Sequence, residues 1–271
     1  MPDWVDGRPA QLLSIKDRGL AYGDGLFETI TVREGRPVLL ERHVARLAEG
    51  CTRLALPVDL AVVRQEVLAF CAELGEGIAK LIITRGDGMR GYAPPQPAAA
   101  RRILQGGGRP VYPATHGELG VRLFPCVTRL AEQPLLAGLK HLNRLEQVMA
   151  RAEWQDNEHA EGLMCSMSGH VIEGVYSNLF VVRDGGLLTA DLSHCGVAGV
   201  MRAEILAQAT RLEIAFQVRD ITIDELMAAD EVFLCNSVYG IWPVRALGAR
   251  DWSVGPLTRK LQAIVRDLLD C

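Results

Sequence analysis

The 271 residues carry 49% apolar and 23% charged side chains with a net charge of −4, ample material for a buried core that needs no covalent staples. The charges are interspersed, which excludes the basic footprint of a nucleic-acid binder, and nowhere do about 18 apolar residues run together as a membrane span requires. Met1-Pro2-Asp3-Trp4 lacks the basic and apolar stretches of a secretory signal, and seven cysteines (Cys51, Cys71, Cys126, Cys165, Cys195, Cys235, Cys271) show no C-x-x-C pair and no histidine at metal-ligand spacing. The expectation is a cytoplasmic protein with reduced cysteines and no metal.

In chain order, residues 26–33 and 37–40 flank Glu34-Gly35 and read as a hairpin. Val44, Leu47, Cys51 and Leu54 then mark one helical stripe; Val63, Val67, Phe70, Cys71 and Leu74 mark a second that stops at Gly75. Residues 78–84 read as a buried strand. Gly106-Gly107-Gly108, Pro110 and Pro113 then signal a boundary, giving a smaller N-terminal α+β domain over 1–107, a linker over 108–117 and a larger C-terminal α+β domain over 118–271. The latter is predicted to hold strands at 121–127, 163–166, 179–183, 214–218 and 231–235, with helices at 143–155, 200–212 and 257–269. A second hairpin turns at Asp184-Gly185-Gly186. No internal repeat occurs, and the mixture points to an α+β class.

Gly86-Asp87-Gly88-Met89-Arg90-Gly91 has the spacing of a dinucleotide-binding fingerprint after a strand. The fingerprint must open a helix, whereas Tyr92-Ala93-Pro94-Pro95 follows here and would break one. The segment therefore reads as a functional loop.

Lys140 ends the apolar run Leu135-Leu136-Ala137-Gly138-Leu139, where burial would lower an ammonium pKa and suit a Schiff-base lysine. A lysine that extends its head group to solvent has the same spacing. The surrounding text is more specific. Lys140-His141-Leu142-Asn143-Arg144-Leu145-Glu146-Gln147-Val148 closely resembles the cofactor-lysine segment of aminodeoxychorismate lyases, which belong with the branched-chain and D-amino-acid aminotransferases among the fold-type IV pyridoxal-phosphate enzymes. The similarity recurs along nearly the whole chain in the same order. It implies a two-domain α+β fold with pyridoxal 5'-phosphate in the interdomain cleft, a homodimer, and conversion of 4-amino-4-deoxychorismate to 4-aminobenzoate and pyruvate in folate biosynthesis. The alternative within the same fold is a D-amino-acid or branched-chain aminotransferase.

The resemblance also assigns roles. Glu173, in Val171-Ile172-Glu173-Gly174 ahead of Ser177-Asn178-Leu179-Phe180, matches the acid that contacts the pyridine nitrogen and would make the ring an electron sink. Arg46, Val200-Met201 at a helix start and Asn236-Ser237 after a strand match the phosphate cup, with Gly199 letting backbone approach closely. Taken singly, Arg46 has the spacing of a solvated helix residue, Ser237 that of a turn former, and Glu173 that of an exposed acid.

Reaction type is read from the substrate side. In Tyr22-Gly23-Asp24-Gly25-Leu26-Phe27-Glu28-Thr29 the lyases carry threonine at the position of Thr29 and the branched-chain enzymes carry glycine. A hydroxyl there could assist departure of the enolpyruvyl group after Lys140 removes the proton from the amine-bearing carbon. Thr29 on its own also reads as an ordinary strand residue. Arg90 aligns with a substrate-carboxylate arginine of the D-amino-acid aminotransferases, and its other reading is a solvated loop charge. Phe27 and Tyr92 stand where those enzymes use tyrosine and histidine, which weakens the transaminase reading. Asn143 and Arg144 follow the lyase pattern, either as substrate contacts or as residues that fix a helix start.

Overall fold

The computed structural model describes residues 1–270, and the chain divides into two units: Met1–Pro110 with Leu139–Asn143 and Asp270, and Val111–Gly138 with Arg144–Leu269. In the first unit the elements are β1 (Asp3–Val5), β2 (Arg8–Pro9), α1 (Arg18–Tyr22), β3 (Gly25–Arg33), β4 (Arg36–Pro37), α2 (Leu40–Arg53), α3 (Leu60–Leu74), β5 (Gly77–Thr84) and β6 (Arg101–Gly107). The strands form one antiparallel sheet in the order β2-β1-β6-β5-β3-β4. Because side chains alternate along a strand, β3 sends Leu26, Glu28, Ile30 and Val32 toward one face. The apolar members join Leu81, Ile83, Leu104, Leu47, Val63, Val67 and Phe70 in the unit's core. Asp59 caps α3 by accepting the Ala61 and Val62 amides, and Gly75 ends it.

One local expectation is corrected by the backbone. The second arm of the first hairpin is only Arg36–Pro37, since Leu39 turns the chain at φ 54° and Leu40 already begins α2. β6, a strand not expected from the sequence, runs through Gly106-Gly107, paired with Ala79 and Ile78; its terminal glycines are tolerated because the ladder supplies the order they lack.

The second unit contains α4 (Ala114–Glu118), β7 (Val121–Leu130), α5 (Leu145–Arg151), β8 (His159–Ser166), β9 (Val171–Gly174), β10 (Asn178–Arg183), β11 (Gly186–Thr189), α6 (Val200–Arg211), β12 (Phe216–Val218), α7 (Ile223–Met227), β13 (Glu231–Asn236), β14 (Gly240–Leu247), β15 (Arg250–Asp251) and α8 (Pro256–Asp270). Its sheet runs β12-β11-β10-β13-β14-β7-β8-β9, and β9 pairs back onto β10, closing a six-strand ring that leaves those strands without a free edge. The closing register pair is Asn178 opposite Glu173, so the candidate ring-nitrogen acid sits at the seam of the barrel. Apolar side chains fill it, among them Leu163, Val171, Leu179, Val181, Leu234 and Trp242. The helix expected over 143–155 is confined to Leu145–Arg151, and residues 114–118 form a short helix after Pro113. Cys51, Cys71, Cys126, Cys165, Cys195 and Cys235 are free and buried; Cys271 lies outside the described residues. Among the described residues no helix is long and apolar enough to cross a membrane, and no cluster of potential metal ligands forms.

Candidate active site

Lys140 lies on a short stretch that runs along β3. The Phe27 amide donates to the Lys140 carbonyl at 2.9 Å, the Leu142 amide donates to Gly25 O at 3.0 Å, and Leu26 bridges His141. The backbone of the lysine is thus fixed as an extra strand would be. Its Nζ stands 4.3 Å from the centroid of the Phe27 ring, and Lys80 Nζ stands 5.6 Å from the same centroid, so both amines lie within cation–π range of the ring. Thr29 is two residues along β3, on the same strand side as Phe27, opposite Lys80 in the β3–β5 register. Asn143 donates to the Gly23 carbonyl at 3.2 Å, fixing the turn after α1.

Glu28 projects from the other side of β3 and meets α2. Arg46 Nε donates to Glu28 Oε1 at 2.8 Å, Arg46 Nη2 pairs with Oε2, and His43 Nδ1 lies 2.6 Å from Oε2. The spacing of His43 and Arg46, three residues apart on a helix, puts both on one face. Burial pushes the Glu28 carboxyl up, but the Arg46 charge and bonds from His43 and Arg46 outweigh it and bring the pKa down to about 2. Burial holds His43 below the ordinary histidine value against the opposing bond and charge of Glu28; the Arg46 and Lys140 charges add to the burial effect. A neutral His43 facing a carboxylate must carry its proton on Nδ1. Its Nε2 is then an acceptor, buried and without a hydrogen-bond partner among the described residues.

In the second unit Glu173 is 4% exposed. Its Oε2 accepts from the Val197 amide at 2.9 Å and from Asn178 Nδ2 at 3.3 Å; Asn178 Nδ2 also donates to the Val197 carbonyl at 2.8 Å. These bonds lace the segment before α6 to the seam of the barrel. Gly199 is the N-cap of α6 with no side chain to cap it, and a Cβ there would overlap Asn178 Oδ1. Only glycine permits this approach, which leaves the first amides of α6, at Val200 and Met201, without a capping side chain, as an anion site requires. Arg144, the residue before α5, feels the charge of Glu173; burial still lowers its pKa from the ordinary arginine value, opposed by Glu173 and Glu146.

A model of amino-transferase class IV matches residues 25–247. The chain belongs to the class IV aminotransferase family. The crystal structure of 4-amino-4-deoxychorismate lyase from Pseudomonas aeruginosa is 66% identical to it, with a TM-score of 0.98 over 99% of this chain and 100% of that one. The aminodeoxychorismate lyase of Vibrio harveyi is 38% identical over 96% of this chain and 97% of its own length. A D-alanine aminotransferase of Staphylococcus aureus is 28% identical over 92% of this chain and 90% of its own. The fold-type IV, α+β expectation is met in this class IV aminotransferase chain.

The remaining residues singled out from the sequence divide by surroundings. Asn236 ends β13, and its side chain is engaged in the turn: Oδ1 accepts the Val238 and Tyr239 amides at 2.9 and 3.0 Å, and Nδ2 donates to the Tyr176 carbonyl at 3.3 Å. These bonds shape the turn that contains Ser237. Arg90 and Tyr92 are exposed on the loop between β5 and β6. Sequence reading passed over Glu28, His43 and Asn178 as site organisers. Glu28 carried a usable signal: an acid in phase with Leu26 and Ile30 on a core-facing strand side needs a cation. Asn178 carried none beyond its place in the Ser177-Asn178-Leu179-Phe180 run.

The donor set fits a phosphorylated pyridine aldehyde. Within the first unit, a lysine beside an aromatic face has the chemistry to hold the aldehyde, and an arginine that to hold a phosphate; within the second, a carboxylate oriented by two donors has the chemistry to hold the ring nitrogen, and the α6 amides with no N-cap side chain that to meet an anion.

Proposed function

We propose that this class IV family member is an aminodeoxychorismate lyase, converting 4-amino-4-deoxychorismate to 4-aminobenzoate and pyruvate with pyridoxal 5'-phosphate held through Lys140. The observation that carries the reading is 66% identity and a TM-score of 0.98 to the Pseudomonas aeruginosa lyase over essentially the full chain. Phe27 beneath Lys140 and Thr29 on the same strand side support it.

When bound, the cofactor withdraws electrons from the amine-bearing carbon of the substrate. Lys140 would hold the cofactor through its Nζ and, as the free amine, would take the proton from that carbon. Glu173, oriented by Val197 and Asn178, keeps the ring nitrogen protonated. Arg46, the Val200 and Met201 amides and Ser237 hold the phosphate. Thr29 donates a hydrogen bond to the departing enolpyruvyl oxygen, whose carbon–oxygen bond breaks as the ring becomes aromatic. Phe27 presents no hydroxyl beside Lys140 that could compete for the proton. Arg90, with Tyr92, receives a substrate carboxylate. The enzyme is a cytoplasmic homodimer in this reading, supported by buried free cysteines and by the exposed apolar side chains of Val127, Leu145, Val148 and Met149.

The test is product formation by holoprotein with enzymatically generated aminodeoxychorismate, following 4-aminobenzoate and pyruvate. Equal release of both, reduced at least ~10³-fold in Lys140→Ala together with loss of the lysine-bound cofactor absorbance, is expected. Absence of 4-aminobenzoate, with amino acids instead converting the cofactor to its amine form, would favour the aminotransferase reading.

A further inference from the structure

The glycine-rich segment 86–91 is followed by β6 and not by a helix, and its glycines have another purpose. Gly86, at φ +80°, lies against the Ala99 carbonyl, where a Cβ would collide. Gly88 lies against the stem of Arg18, where a Cβ would stand 2.7 Å from Cδ. Arg18 is itself 4% exposed. Its Nε donates to Asp24 Oδ2 at 2.8 Å, Nη1 donates to the carbonyls of Gly91 (3.1 Å) and Ala93 (3.3 Å), and Nη2 donates to that of Tyr92 (2.9 Å). The guanidinium carbon stands 4.9 Å from the Tyr22 ring centroid, Tyr22 and Tyr92 have centroids 5.4 Å apart, and the Tyr22 hydroxyl accepts the Gly91 amide at 3.2 Å.

The clamp has a firm foundation. Arg85, at the end of β5, also donates to both oxygens of Asp24 and reaches the Leu54 and Ala55 carbonyls between α2 and α3. Asp17, fully buried, caps α1 and accepts from Thr84 and Arg101. Every part of this network belongs to the first unit.

We propose that Arg18 is a positioning residue for substrate recognition, clamping the loop so that Arg90 is presented at a fixed place to a substrate carboxylate. The inference rests on Arg90 being a carboxylate ligand, as read above. Gly91 has both its amide and its carbonyl held, so the backbone next to Arg90 is ordered while the arginine side chain stays exposed. Ordering the backbone of a loop costs conformational entropy, and a loop ordered before the encounter spares binding that cost. Lysine cannot substitute, because a single ammonium does not span Asp24 and three carbonyls as the guanidinium fork does.

The test compares wild-type holoenzyme with Arg18→Lys and Tyr22→Phe. Two readouts are used: tryptic cleavage of the Arg90–Gly91 bond, located by mass spectrometry, and steady-state formation of 4-aminobenzoate. Arg18→Lys is expected to speed that cleavage about tenfold and raise KM for aminodeoxychorismate about tenfold, with kcat within about twofold and the lysine-bound cofactor absorbance unchanged. Tyr22→Phe, which loses one acceptor, should shift both in the same direction by about threefold. Unchanged cleavage in Arg18→Lys overturns the clamp. Faster cleavage with unchanged KM overturns its part in recognition. If Arg18→Lys does not fold, Tyr22→Phe decides by the same criteria. Failure of the wild type to form 4-aminobenzoate sinks the lyase reading instead, and the cleavage measurement still decides the clamp.

Discussion

Glu28 in the first unit and Glu161 in the second are both strand residues with almost no exposed surface, at 1% and 0%, yet they titrate in opposite directions. Glu28 meets the guanidinium of Arg46 and the ring of His43 and is drawn down to about 2. Glu161 accepts four bonds, from the Gly162, Val175 and Tyr176 amides and from Ser177 Oγ, and burial nevertheless pushes it up to about 7 against them. Four neutral donors do not offset the loss of water around a carboxylate; one guanidinium with an imidazole does. The two acids consequently have different tasks. Glu28 fixes the charge and orientation of Arg46, whereas Glu161 knits the turn between β9 and β10 that carries Glu173 to one side and Asn178 to the other.

The largest effect that would test this contrast is Glu28→Ala, which takes this anion away from buried His43 and partly buried Arg46 and is expected to cost about 3 kcal/mol in urea unfolding. A loss below about 1 kcal/mol would mean that the pair is solvated and the contrast is wrong. Because the folded pKa of Glu28 lies below its ordinary 4.5, its contribution is present above that value and fades as pH falls toward 2. The difference between wild type and Glu28→Gln should narrow over that acid window.

Glu161 has the reverse sign. Its folded pKa of about 7 lies above 4.5, so the folded state retains a proton that the unfolded chain releases. Its contribution is complete below 4.5 and is lost as pH rises to 7, a change of about 3 kcal/mol at about 1.4 per pKa unit. Glu161→Gln should abolish this slope in denaturation measured from pH 5 to 8, with stability at pH 8 equal to or above wild type. A variant that keeps the slope would assign it to another group.

The smallest effect sharpens the comparison from outside. Glu225 also lies at about 2, through bonds from Arg219 and from the Thr222 backbone, but its partner Arg219 is 39% exposed. Glu225→Ala should cost only about 1 kcal/mol, most of it from the lost capping box of α7 and the rest removed by salt. An equal pKa thus carries an unequal energy, because solvent screens one pair and not the other.

Much of the fold was legible where neighbours in sequence decide the outcome. The apolar stripes of α2 and α3 emerge with their buried residues where the spacing puts them. Asp184-Gly185 turns the second hairpin with φ of 50° and 74°, as the residue types ask. The less legible elements break a local rule and are rescued by pairing: β6 through its terminal glycines, and β14 through Pro243, which sits opposite Phe233. β9 is too short to show a period, and its place is set by closure against β8 and β10. In the candidate site, the run from Lys140 to Val148 drew attention to the lysine from neighbouring residues alone, whereas the bond from Asn236 to the Tyr176 carbonyl, 60 positions away, could not be read from the sequence.

By itself, then, the sequence determined the class of fold, the run of chemistry around Lys140 and the loop that imitates a dinucleotide fingerprint without a helix to follow it, since each depends on residues within a few positions of one another. Only the tertiary structure decided which buried acids are charged, why Gly88 and Gly199 have no side chain, and that Arg18 reaches a loop more than seventy positions away. Those outcomes depend on which groups pairing and packing bring together after folding, and electrostatic and steric forces act over a few ångströms of space regardless of separation along the chain.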